Sequence, residues 1–380
     1  MSTKIDNSIY ADNAATTSLD PRVFEAMKPY FTGFYGNASQ PYSFSGTARN
    51  ALKDARRIIA DCIGAKEEEI YFTSGGTESD NWAIKSVLAS KDNRSGVLVS
   101  KIEHHAILNS AESLKRFGIP IGYLDVTDEG IVLPETLRKH IEQETKLVSV
   151  MLANNEIGTI EPIRDLAEIA HKNGSVFHTD AVQAMGHIDV NVNDLGVDML
   201  SASAHKFNGP KGIGFLYVHN GVQIDPFMDG GAQENRLRAG TENVPSIVGM
   251  ATALKINYDE LVSFKRKMNE LEALLIDRLH SYSLDFVRNG SENHLPGSIS
   301  LSFRNSDGEM ILHRMDLMGI CISTGSACDS KNTQISHVID AIGVSKDYAR
   351  GTIRISLGKN KTQEQIEKIS LALKKIILRE

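Results

Sequence analysis

The chain has 380 residues, 41% hydrophobic and 23% charged, with a net charge of -7 and an isoelectric point near 6.0. That length predicts two domains and a core needing no disulfide or metal staple; the acidic balance argues against nucleic acid as the main partner, since neutralising phosphates takes basic surface. The N-terminal stretch lacks the apolar segment of a signal peptide, no run of about 18 apolar residues is present to span a membrane, and three cysteines (Cys62, Cys321, Cys328) suit a reducing compartment, so a soluble cytoplasmic protein is expected.

In chain order, DPRVFEAMKPYF reads as a helix with Asp20 as N-cap and Pro21 at its first position. The stretch 46–63 places Leu52, Ala55, Ile59 and Ile63 at helical spacing, and Gly64 is placed to end it. A strand at 69–73 then runs through a Gly-rich turn into the helix TESDNWAIKSVLAS. Further strands are predicted at 96–100, 146–151, 175–180, 197–203 and 212–218, with helices between most of them, such as 163–174. Short apolar strands alternating with helices predict a mainly parallel sheet covered on both faces.

The rhythm changes after Pro245: a long helical stretch (246–282), a strand at 296–303, a helix at 307–318, a Gly/Ser loop, a strand at 351–358 and an amphipathic helix at 362–378. The expected division is a large α/β domain over 15–245 and a smaller α+β domain over 246–380, with residues 1–14 packing on the latter.

Ligands of open α/β sheets collect at the carboxyl ends of the strands. Four unusual segments fall there: TSGGTESDN, NNEIG, HTDAVQAMG and SASAHKFNGPKG. In the first, Gly75, Gly76 and Thr77 lie between a strand and a helix, where backbone N–H groups and the helix N-terminus favour an anion; a plain strand–turn–helix connection is the alternative. Asp180 lies at a strand end with Gln183 nearby, suited either to holding a protonated ring nitrogen or to capping a helix. Lys206 follows Ser203 and His205 directly after a strand expected to be buried, where desolvation would free its amine as a nucleophile; most lysines, by contrast, are solvated surface charges. A lysine able to form a Schiff base, with an aspartate for a pyridinium nitrogen, is the usual arrangement around pyridoxal 5'-phosphate.

The adjacent pair His104 and His105 has no metal-ligand spacing, so no metal is expected; one is read as structural, the other as a ring-stacking or proton-shuttling group. Cys328, in STGSACDS, sits among small residues that suggest accessibility, whereas Cys62 and Cys321 read as packing residues.

Taken together, these segments resemble the cysteine desulfurases of the NifS/IscS type, within the class V aminotransferase group of fold type I enzymes. The likeness runs nearly end to end, from YADNAATTSLDP through EHHAI, NNEIGTIEPI and RAGTENV to STGSACDS and IRISLG. It implies pyridoxal 5'-phosphate held covalently by Lys206, with Asp180 on the ring nitrogen and Gln183 on the phenolic oxygen. Gly76, Thr77, Ser203 and His205 would hold the phosphate, with Thr241 reaching over from a second subunit of a homodimer. His104 would stack on the ring, and Asn155 and Arg354 would grip the carboxylate of L-cysteine. Cys328 would take the sulfur as a persulfide, leaving alanine, and pass it to an iron–sulfur scaffold or a tRNA-thiolating enzyme. An aminotransferase or a selenocysteine lyase on the same fold is the alternative; an aminotransferase would have no need of Cys328.

Overall fold

The computed structural model describes residues 8–89, 95–324 and 335–380. Cys328 lies outside the described residues.

A sheet of seven strands forms the larger layer, in the order Ile70–Thr73, Gly214–Val218, Met199–Ser203, Val176–Asp180, Thr145–Ser149, Gly96–Ser100 and Ile121–Leu124. Gly214–Val218 runs antiparallel to both its neighbours, and every other pairing is parallel. Strand alternation explains why both faces are covered. Leu98, Val148 and Leu200 point into one core with Val23, Ile59 and Met250, while Val97, Val99, Leu147 and Met199 point into another with Trp82 and Ile107.

The helices form where the sequence expected them. Asp20 caps the helix Pro21–Met27 by accepting from the Arg22 N–H. Helix Gly46–Ile63 buries Leu52, Ala55, Ile59 and Ile63 and ends at Gly64, whose φ of 71° is the left-handed value a Cβ would resist.

A separate core joins Met268, Leu275, Ile299, Leu301, Ile353 and Leu373, and Ile9 and Ala11 enter it. It lies against a three-stranded antiparallel sheet, Thr352–Ser356, Ser298–Phe303 and Phe286–Asn289. The compositional shift after Pro245 precedes the change of core. Helix Val244–Asp259 still buries Ile247, Met250 and Leu254 in the first core, whereas helix Leu261–Ser281 buries Met268, Leu271 and Leu275 in the second. Among the described residues no helix is long and apolar enough to cross a membrane.

Candidate active site

The carboxyl ends of the parallel strands open into a cavity of about 540 Å³. Lys206 reaches it because strand Met199–Ser203 turns back through Ala204–Lys206 into its antiparallel neighbour Gly214–Val218, a connection that needs no crossover helix. The Lys206 amine donates to the carbonyls of Ala14 (2.6 Å) and Ala15 (2.9 Å). Gln183 donates to the same Ala14 carbonyl at 3.0 Å, and the His205 ring is hydrogen-bonded to the Thr16 hydroxyl at 3.0 Å.

Asp180 closes strand Val176–Asp180 and is buried. One of its oxygens accepts from the Val182 N–H at 2.8 Å, but the residues that follow form a turn and not a helix, so the helix-capping alternative does not hold, and Asp180 lines the cavity. Burial raises its pKa, against the pull of that N–H and of the Lys206 charge. Behind it lies buried Asp80, also raised by burial and by the charge of Asp180, with one oxygen unpartnered and His178 at 4.0 Å.

Helix Gly76–Lys85 starts at the cavity wall, its first N–H groups beside Ser203 and His205. A Cβ on Gly76 would stand 2.6 Å from the Val182 side chain, so only glycine lets the backbone approach this closely. The cradle suits a phosphate. Glu78, in the first turn, would oppose one, but Arg238 holds it in a two-point ion pair (2.8 and 3.2 Å).

His104 caps helix His105–Leu114, its Nδ1 accepting from the Ala106 N–H at 3.1 Å. Burial, the Lys206 charge and the neighbouring His105 and His337 push its pKa down to about 4, so the ring is neutral. His105 packs instead against His337, with ring centroids 4.8 Å apart.

Gly76, Thr77, His104, Asn155, Asp180, Gln183, Ser203, His205 and Lys206 all line the one cavity. Arg354 stands behind its wall, donating to the Asn155 carbonyl at 2.9 Å. Thr241 is exposed and is not part of the wall. Sequence reasoning missed Asp80, the Glu78–Arg238 pair and the part played by residues 14–16. Asp80 had a signal, because it lies one helical turn beyond Gly76; the other two are contacts between distant segments and had none.

A lysine amine, a buried carboxylate and a glycine-lined helix N-terminus facing one cavity fit pyridoxal 5'-phosphate. On a seven-stranded, mainly parallel sheet they define the fold type I class of enzymes dependent on that cofactor. More narrowly, the chain belongs to the class V aminotransferase family, whose model matches residues 9–369. It is 47% identical to a cysteine desulfurase IscS of Dictyoglomus turgidum, over 97% of this chain and 94% of that protein. Among solved structures it is similar to a NifS-like protein, at 37% identity and a TM-score of 0.92, covering 98% of this chain and all of that one. A structure of SspA in complex with cysteine matches at 35% identity and a TM-score of 0.83, covering 93% of this chain and all of the other.

Proposed function

We propose that this chain is a cysteine desulfurase that removes sulfur from L-cysteine, releases L-alanine and leaves a persulfide on Cys328. The observation that carries this beyond a general aminotransferase is where the described residues flanking the Cys328 segment are held. Ser323 exchanges backbone hydrogen bonds with Arg354 (3.0 and 2.6 Å), and the Ser336 hydroxyl donates to buried Glu156 at 2.6 Å, beside Asn155. Both attachment points thus lie next to Asn155 of the cavity lining: Ser323 through Arg354, which donates to the Asn155 carbonyl, and Ser336 through the neighbouring Glu156.

Bound pyridoxal 5'-phosphate supplies an electron sink for the substrate Cα. The Gly76 and Thr77 N–H groups, Ser203 and His205 would hold its phosphate, Asp180 its ring nitrogen and Gln183 its phenolic oxygen, with Lys206 as the covalent attachment. Lys206, released by the incoming substrate amine, would take the Cα proton, and neutral His104, which lines the same cavity, would assist proton transfer. The Cys328 thiolate attacks the substrate sulfur: an S–S bond forms, the Cβ–S bond breaks, and its electron pair stays with the carbon, which is then protonated to give alanine.

A homodimer is part of the proposal. Exposed Thr241 is free to complete a second copy's phosphate site, and an exposed aromatic stretch, including Phe31, Tyr35, Tyr42 and Phe44, offers apolar surface for pairing. We also propose two structural units meeting near Glu260, a cytoplasmic location, and delivery of the sulfur to an iron–sulfur scaffold or a tRNA-thiolating enzyme. Incubating the holoenzyme with L-cysteine and quantifying alanine together with protein persulfide tests the function. Equal amounts of both are expected; a keto acid in place of alanine would overturn it.

A further inference from the structure

Arg354 is 4% exposed, and its three nitrogens are in different situations. Nη2 donates to Asp12 Oδ1 at 2.7 Å, Nη1 donates to the Asn155 carbonyl at 2.9 Å, and Nε is buried with no hydrogen-bond partner. Asp12 is itself fixed by the backbone. It forms a β-bridge with Ser356, two residues along the strand that carries Arg354, and the flanking Ala11 and Asn13 both bond the Ser356 backbone.

A guanidinium is planar and rigid, so holding two of its nitrogens sets the direction of the third. An unpaired buried donor is costly and gains much from an anionic acceptor. We infer that Asp12 is a positioning residue for substrate recognition: its ion pair fixes the Arg354 guanidinium against the Asn155 backbone, the placement on which its grip on the substrate's α-carboxylate depends. This rests on the reading of Arg354 as the carboxylate-binding residue. It also gives residues 12–16 a single purpose: the same short segment sets the substrate arginine through Asp12 and the lysine amine through the Ala14 and Ala15 carbonyls.

The test uses the holoenzyme and two ligands without sulfur, L-alanine and ethylamine, the second lacking the carboxylate. Calorimetric titration of Asp12→Asn should show alanine bound about tenfold more weakly, the scale of one charge-assisted contact, and ethylamine bound as by the wild type. In an Arg354→Gln background, Asp12→Asn should add no further loss for alanine. A purely structural role would weaken both ligands alike, and that result overturns the inference. So does unchanged or tighter alanine binding by Asp12→Asn while Arg354→Gln weakens it. If Arg354→Gln itself leaves alanine binding intact, the reading of Arg354 fails first and the inference falls with it. Should Arg354→Gln not fold, the alanine-to-ethylamine selectivity of Asp12→Asn decides alone.

Discussion

Glu78 and Arg238, 160 residues apart, are joined by two hydrogen bonds of 2.8 and 3.2 Å at the mouth of the candidate active site. Burial alone would raise the Glu78 carboxyl, but Arg238 and the Ser74 N–H hold it below its ordinary value, so it stays charged within the first turn of the helix that starts at the cavity wall. Arg238 therefore cancels a charge that would repel a phosphate. Replacing it with Ala should cost about 1–3 kcal/mol, read as a roughly ten- to hundredfold weaker affinity for pyridoxal 5'-phosphate in an absorbance titration. Adding Glu78→Gln should restore most of the loss. An unaltered affinity in Arg238→Ala would show that the pair only packs the loop.

Lys206 and Lys211 both line the cavity, so the assignment of the covalent lysine can be decided between them. Borohydride reduction of the holoenzyme followed by peptide mapping should label Lys206. Lys206→Ala should abolish turnover while the Gly76 cradle still binds the cofactor through its phosphate. A label on Lys211 would overturn the assignment.

Cys62 is pushed up to about 11 by burial, and Cys321 is raised by the same cause, so neither supplies a thiolate near neutral pH. Cys328→Ser should keep cofactor and cysteine binding and lose sulfur transfer, while Cys62→Ala and Cys321→Ala keep it. Mass spectrometry after brief exposure to cysteine should find one added sulfur on the Cys328 peptide. Added sulfur on Cys321 would refute the proposed route.

Glu161 carries a pH dependence of stability. Its carboxyl is buried, one oxygen has no partner, and burial pushes its pKa up to about 8 from an ordinary 4.5, against the Val132 N–H that the other oxygen accepts. The folded chain thus binds a proton there that the unfolded chain has released between those two values. Stability from this group is complete below about 4.5, falls as pH rises, and levels off above about 8. Thermal unfolding between pH 6 and pH 9 should show a larger loss for the wild type than for Glu161→Gln. Equal losses would place the proton elsewhere.

Much of the fold was legible because its signals are local. Asp20 starts a helix by capping it, with Pro21 at the first position, and Gly64 ends one because glycine takes a left-handed φ without strain. The strand Gly96–Ser100 announces itself as an apolar run because both of its faces are covered. The edge strand Ile121–Leu124 and the strand Phe286–Asn289 were not read, since partial burial leaves them short and mixed in character.

The sequence by itself determined which residues could do chemistry: a lysine, an aspartate and paired glycines each fall where a strand ends, and strand ends are where such a sheet opens. Tertiary structure alone decided how they are held. The direction of Gly214–Val218, the Ala14 carbonyl on the Lys206 amine, the Glu78–Arg238 pair and the Asp12–Arg354 pair join positions far apart in the chain. No periodicity or capping rule reaches across such separations, because these contacts exist only once the cores have packed and brought their edges together.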